Sequence, residues 1–319
     1  MHMRSRKPRY IIKNLASIGI ALLLITILSI NLYQNCDALQ EQNIVFTPVL
    51  FSLSLPPLVL SYLFIPSMWC RILASLGVAL SYRKAFCIQY LSHLGRYIPG
   101  KIWSYVAQAY LASQEQVAVT ETLSSNVMLM CLMNLSSLLV FTLSLLAWNA
   151  LTLTLRCALV VSTFVLMYWL CRRHLLERGI NAVMTRWPTP HAALRCTSLH
   201  YTPLIVEMAL SWVVFAVGMH LMLLSFYPVE MIHSVVIIGI FAIAWLAGYY
   251  AFLSPGGLGV QEGIQVYLLT FFFPLPVSIM IAFASRLWML LGDLIVFLLA
   301  VVLTIYDNRL QRSTHGSYL

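Results

Sequence analysis

The sequence predicts an all-α integral membrane protein with about seven or eight transmembrane helices and two re-entrant, broken-helix hairpins, and three observations predict it. Of its 319 residues, 61% are hydrophobic and only 9% are charged, against roughly half apolar and about a quarter charged in a soluble domain. The apolar residues gather into uncharged stretches at 14–36, 42–70, 122–155, 208–229, 231–261 and 263–285, most of them longer than the roughly 20 residues a helix needs to cross the hydrocarbon core. The basic residues behind the formal net charge of +9 sit between those stretches.

Their placement decides what the charge means. Seventeen of the nineteen Lys and Arg residues fall at 4–13, 71–101, 172–195 and 309–312, leaving Arg156 and Arg286. One topology puts all four clusters on the cytoplasmic side, as the positive-inside rule demands, so the basic balance implies an inner (plasma) membrane protein with both termini in the cytoplasm and no nucleic-acid partner. The basic and then apolar start is read as a retained first helix, because its apolar run far exceeds the roughly 7–15 residues of a secretory signal and no cleavage site follows. The seven cysteines are scattered singly, without a CxxC pair or a metal-ligand spacing, so neither a disulfide framework nor a metal or cofactor is expected.

The first span, at 11–32, leads to a short outer loop holding Asp37 and Glu41, and the second, at 46–65, returns with Pro56 and Pro57 inside it. From 67 to 121 no segment is clean enough to cross. It is amphipathic, and its centre reads Gly95, Arg96, Tyr97, Ile98, Pro99, Gly100, Lys101. The flanking helical runs, 84–94 and 102–113, are each about 18 Å long at 1.5 Å per residue, too short to span but long enough for a hairpin entering from the cytoplasmic side. Spans three and four, 122–147 and 152–171, form an apolar hairpin turning at Trp148 and Asn149. A basic loop at 172–200, containing Pro188 and Pro190, separates pseudo-repeat halves at 1–171 and 201–319 of a single membrane domain. Span five, at 202–226, goes out. Residues 231–252 then run back to Leu253, Ser254, Pro255, Gly256, Gly257, Leu258, Gly259, Val260, Gln261, Glu262 and Gly263, and a short helix at 258–273 returns. The sequence leaves open whether this pair crosses fully or forms an outer re-entrant hairpin. The last span, at 277–306, ends in the cytoplasm. Paired broken segments in two halves are the sequence sign of inverted repeats with a site near the midplane.

A chain break inside lipid frees backbone groups and is tolerated only where protein or a water-filled cavity covers them. The helix beginning after Pro99 and Gly100 would aim its N–H groups and positive dipole end at such a cavity, with Arg96 and Lys101 beside it, a setting for an anionic head group. The glycines at 256, 257 and 259 permit close backbone approach and open a second helix. The alternative is that both are interfacial turns whose basic residues reach lipid phosphates. Arg286 lies about 14 Å into the last span, where an ionised group needs a partner. Glu262 is the expected one, and Asp293, about 10 Å further along the same face, is the second candidate. Such a pair either serves function, with Glu262 and Asp293 as ion-coupling groups, or only fixes helix packing. Glu207 is expected to reach the membrane edge, His93 and His220 to hydrogen-bond within the bundle, and Tyr249, Tyr250, Trp69, Trp103, Trp187 and Trp212 to form an aromatic belt.

The pair GRYIPGKIW and SPGGLGVQEG, with an Arg in the last span, resembles the transmembrane region of lysylphosphatidylglycerol synthases and related stand-alone flippase-like proteins, over nearly the whole chain. The resemblance implies a lipid-translocating domain built from two re-entrant hairpins that meet in the bilayer. Matched residue by residue, Arg96, Pro99, Gly100 and Lys101 take the first motif. Pro255, Gly256, Gly257, Gly259 and Glu262 take the second, and Arg286 the downstream basic position. Two departures from the family pattern limit the carry-over. The sequence ends at Leu319 without a soluble aminoacyl-transferring domain, so lysine transfer is not expected, and Gln261 stands where the familiar form of the motif has Arg.

The resulting expectation is a transporter, not an enzyme, that flips an anionic lipid or a polyprenyl-phosphate-linked sugar between leaflets in envelope glycan or lipid biogenesis. Its partners would be the lipid or lipid-linked glycan and, by analogy, glycosyltransferases of the same pathway. No phosphate-binding loop for ATP is present in the sequence, so transport would be downhill, ion-coupled or driven by product removal. Two alternatives remain: a polyprenol-dependent membrane glycosyltransferase using Asp37 and Glu41 as its acid–base pair, and a non-catalytic scaffold of a polysaccharide synthase.

Overall fold

A computed structural model describes residues 30, 45–97, 102–148, 152–171, 201–251 and 254–316. Every regular element among them is helical. The helices are α1 (Pro48–Ser75), α2 (Tyr82–His93), α3 (Trp103–Gln114), α4 (Val119–Ser144), α5 (Leu153–Cys171), α6 (Tyr201–Leu224), α7 (Met231–Tyr250), α8 (Val260–Leu269) and α9 (Leu275–Gly316). Short 3-10 turns stand at Leu94–Tyr97, Leu145–Ala147 and Pro255–Gly257. Five helices among the described residues are long and apolar enough to cross a membrane, namely α1, α4, α6, α7 and α9, and α5 is a shorter apolar helix. Of the predicted first span only Ile30 is described, and it is helical. Asp37, Glu41, the tip residues Pro99, Gly100 and Lys101, and the basic loop at 172–200 lie outside the described residues.

The two ends of the bundle differ chemically. At one end Phe46 and Phe51 pack on Phe226, Trp148 meets Phe272 with ring centroids 4.8 Å apart, and Tyr227 meets Phe273. At the other end the charges pair: Arg71 with Glu207 at 2.7 Å, Arg83 with Asp307 at 2.8 Å, and Lys84 with Glu115. Glu207 ties α6 to α1 at that end. An aromatic end and a charged end are what two membrane–water boundaries require of a spanning bundle.

Helices α2 and α3, each of twelve residues, rise only about 18 Å and form a hairpin whose mouth is closed at the charged end by Lys84 and Glu115. The ten residues of α8 rise about 15 Å, half the core, so the α7–α8 pair breaks inside the bundle while the far end of α8 approaches the aromatic end. The two hairpins therefore enter from opposite ends, and the 3-10 turns at their tips pack against each other. Around them α1 packs along α6, α4 along α7, and α9 along α1, α2 and α8.

The second span proves longer than its sequence pattern suggests. Helix α1 runs on past residue 65 to Ser75, straight through Pro56, Pro57 and Pro66. A proline inside a helix removes the N–H that would serve the carbonyl four residues back, and in lipid such an orphan must find another donor. For Pro66 that carbonyl belongs to Tyr62, and the buried Tyr90 hydroxyl of α2 donates to it. The proline thus becomes an attachment point for the re-entrant hairpin, and the Tyr82 hydroxyl makes a second one by donating to the Leu63 carbonyl at 2.9 Å.

Replacing Tyr90 with Phe should leave the Tyr62 carbonyl unsatisfied and cost about 1–3 kcal/mol, read as a lower unfolding midpoint in detergent. Adding Pro66→Ala returns an N–H to that carbonyl and should recover most of the loss, an outcome that a mere packing role for the tyrosine would not give.

Candidate functional site

Where the two hairpin tips meet, a cavity of about 330 Å³ opens. Arg96, in the first 3-10 turn, and Arg286, on α9, both line it. Arg286 lies about 17 Å along α9, close to the middle of a core roughly 30 Å thick. The first turns of both short helices reach the cavity too, through Ser104 and Tyr105 of α3 and Gln261 of α8. Helix N-termini carry partial positive charge and unpaired N–H groups, so they add to the two guanidinium groups. A second cavity of about 130 Å³ shares His93, Arg96, Trp245 and Met289 with the first, and is walled chiefly by apolar side chains such as Met208, Phe215 and Phe241.

Arg286 occupies the α7–α8 break itself. Its Nη2 donates to the Gly256 carbonyl at 3.0 Å, its Nη1 to Gln261 Oε1 at 3.2 Å, and its Nε lies 3.4 Å from Glu262 Oε1. The other oxygen of Glu262 accepts the Gly259 N–H at 2.5 Å, capping α8. The guanidinium thus serves a carbonyl that the helix break has orphaned, and the carboxylate serves an orphaned N–H. The break depends on glycine. Gly257 has φ +74°, and a Cβ there would stand 2.9 Å from the Gly248 carbonyl oxygen of α7. In the first hairpin, a Cβ on Gly95 would lie 2.7 Å from the Ser104 nitrogen, so that turn too is folded backbone to backbone.

Glu262 is therefore the partner of Arg286, as the sequence predicts. Asp293 goes elsewhere: it takes a hydrogen bond from Arg96 Nη2, and His93 Nε2 lies 3.7 Å from its other oxygen. Asp293 is seven residues beyond Arg286 on α9, and that spacing points it at the first hairpin, not back along its own helix. Each hairpin tip is thereby pinned to α9, the first through Arg96 and Asp293, the second through Arg286 and Glu262. Both carboxylates are 3% exposed and Arg286 is 9% exposed. Charges this deep must be paired.

Of the predicted site residues, the structure brings together Arg96, Gly256, Gly257, Gly259, Glu262, Arg286 and Asp293, while Pro255 stands in the same turn. The aromatic belt needs correction. Trp69 is fully buried and its indole N–H donates to Ser125 Oγ at 2.8 Å, and Trp212 donates to Ser136 at 3.0 Å. Tyr249 shares a hydrogen bond of 2.5 Å with Tyr105 and lines the cavity, and Tyr250 accepts one from Asn134. Trp69, Trp212 and Tyr249 find partners for their polar atoms on neighbouring helices, where an interfacial ring finds water, whereas Tyr250 is 47% exposed and does not depart from the belt. His220 bonds within the bundle, to Ser234 at 2.7 Å. Gln89 and His93 on α2, Gln108 on α3 and Trp245 on α7 also line the cavity. The signal for Gln89 and His93 in the sequence is spacing, since 89, 93 and 96 recur on one helical face, whereas Gln108 and Trp245 have no such signal.

A model of the lysylphosphatidylglycerol synthase TM region family matches residues 14–304. No curated protein and no solved structure matches the chain.

Asp293→Asn should leave the Arg96 guanidinium without its counter-charge at a largely enclosed site, costing about 3 kcal/mol. Arg96→Gln in the same chain should restore part of that loss, a coupling that a double-mutant cycle on the unfolding midpoint measures.

Proposed function

Because the chain belongs to the lysylphosphatidylglycerol synthase TM region family, as a multi-pass membrane protein of lipid and envelope biosynthesis, we propose that it flips an anionic lipid, or a sugar linked to a polyprenyl phosphate, between leaflets. The observation that carries this reading is the placement of Arg96, from the first hairpin tip, and Arg286, from α9 at the second, on one cavity. A phosphate there meets two guanidinium groups and two helix N-termini, the donors that anion recognition uses. Its apolar chain remains in the bilayer or in the adjoining apolar cavity. The charged end of the bundle is the cytoplasmic end in this reading, which puts the protein in the inner membrane with both termini inside.

Transport here means exchange. Each arginine holds a carboxylate, so an arriving phosphate competes with Glu262 or Asp293, and the displaced carboxylate needs a new partner, a proton or another cation. These two acids are therefore the place where ion coupling resides. Pro99, Gly100 and Lys101 of the first motif bind the same head group in this reading, and glycosyltransferases that make or use the lipid-linked glycan are its partners.

The test is transbilayer movement of fluorescent anionic lipids and of a polyprenyl-phosphate sugar in liposomes holding the purified chain. Arg286→Ala and Arg96→Ala should each slow movement by about tenfold or more, the equivalent of one charge-assisted hydrogen bond. Wild-type protein that moves none of these lipids overturns the proposal.

A further inference from the structure

Away from the two arginine pairs, the polar groups on the largely apolar wall of the central cavity are uncharged amides and hydroxyls. Gln108 Nε2 donates to Gln89 Oε1 at 2.8 Å, and Asn126 Nδ2 donates to Gln108 Oε1 at 3.0 Å, a chain of amides joining α2, α3 and α4. That chain commits the Gln89 oxygen and leaves the two N–H donors of the same amide for whatever occupies the cavity. Ser92, Ser104 and the Tyr105–Tyr249 hydroxyl pair add groups able to give or take a hydrogen bond. Trp245 adds an aromatic surface, its ring 5.7 Å from that of Tyr249.

The carboxylates tell the other half. Among the described residues, the acids beside the cavity are Glu262 and Asp293, and both are engaged, by Arg286 with the Gly259 N–H and by Arg96 with His93. A lysyl head group carries two ammonium groups while its phosphate displaces one carboxylate, so one desolvated cation would stand without a counter-charge, which is strongly disfavoured. A sugar has the opposite needs. Its hydroxyls both donate and accept, which amides and hydroxyls match, and its C–H face packs on an aromatic ring.

Resting on the translocation reading, we infer that the head group this cavity selects is an uncharged, polyhydroxylated one: a glycosyl phosphate on a lipid chain, not an aminoacyl phospholipid. The phosphate lies between Arg96 and Arg286, and the sugar lies against Gln89, Ser104 and Trp245. The cavity is near the lower end of the roughly 300–1,000 Å³ typical of small-molecule sites, so the head group is small. The apolar cavity that shares Arg96 and Trp245 receives the start of the chain.

The experiment measures binding to the full chain in nanodiscs, by thermal shift and tryptophan fluorescence. The probes are farnesyl phosphate, the same lipid carrying a phosphate-linked hexose, phosphatidylglycerol and lysylphosphatidylglycerol. The hexose-bearing probe should bind about tenfold more tightly than farnesyl phosphate, and lysylphosphatidylglycerol more weakly than phosphatidylglycerol. Gln89→Leu and Trp245→Leu, each shown to be folded by its unfolding midpoint, should weaken the hexose-bearing probe far more than farnesyl phosphate. Arg286→Ala should weaken every phosphate probe together. Equal binding of farnesyl phosphate with and without the hexose, or tightest binding of lysylphosphatidylglycerol, overturns this inference while leaving lipid translocation standing. If no probe binds or crosses, both fail.

Discussion

Two arginines near the middle of a bilayer-spanning bundle impose a requirement that much of this architecture answers. An ionised side chain at that depth is tolerated only with a partner, and here each partner comes from a different element: Glu262 from the first turn of α8 for Arg286, and Asp293 from α9 for Arg96. Because α9 supplies one member of each pair, it acts as the spine on which both hairpin tips are fixed. The pairs are no proof of stability in themselves, since desolvation offsets much of their attraction. What they fix is which residues can meet: a tip that shifts along α9 by one turn leaves a charge unpaired.

The backbone is subject to the same rule as the charges. Breaking a helix inside lipid frees carbonyls and N–H groups that water cannot reach. At the second tip they are taken by Arg286, by Glu262 and by Ser254, whose hydroxyl donates to the Leu258 carbonyl. In α1 the carbonyl freed by Pro66 is taken by Tyr90. In both places one side chain from another helix, Arg286 or Tyr90, helps fill the defect. Each defect therefore specifies a neighbour, where apolar packing inside a lipid solvent specifies much less. The buried serines and amides extend this pattern, with Trp288 donating to Ser54 and the chain of Gln89, Gln108 and Asn126 linking three helices.

How much of this was legible depends on the kind of signal each residue gives. Hydropathy marks the long spans because lipid demands apolar length, and the short amphipathic runs on either side of Arg96 mark a hairpin because they are too short to cross. Arg286 and Glu262 are legible as a pair because a lone intramembrane charge demands a partner, and the other nearby acid, Asp293, stands about 10 Å further along the same helix as Arg286. Asp293 is not, because its partner is distant in sequence and only the docking of the first hairpin brings Arg96 to it. The tyrosines and tryptophans mislead for a related reason: a ring with a polar tip suits the membrane boundary and a polar interior equally, and Trp69, Trp212 and Tyr249 are told apart only by Ser125, Ser136 and Tyr105 on other helices. The length of α1 is hidden by Pro66, which reads as a stop until Tyr90 is seen to satisfy what the proline frees.

The two ion pairs are not equivalent, and the difference bears on how a ligand enters. Arg96 hydrogen-bonds Asp293 directly, with His93 at the other carboxylate oxygen. Arg286 Nε and Glu262 Oε1 stand 3.4 Å apart, both buried and neither engaged in a hydrogen bond, while the rest of the guanidinium is spent on Gly256 and Gln261. Buried polar groups left in that state gain the most from a new partner. An anion arriving in the cavity therefore has more to offer at Arg286 than at Arg96. Releasing Glu262 from Arg286 also leaves that carboxylate still held by the Gly259 N–H, whereas releasing Asp293 from Arg96 frees the tip of the first hairpin, whose base stays tied to α9 through Arg83 and Asp307. In the proposed translocation, capture at the looser pair precedes opening at the tighter one, because only the second step releases the tip of the first hairpin from α9.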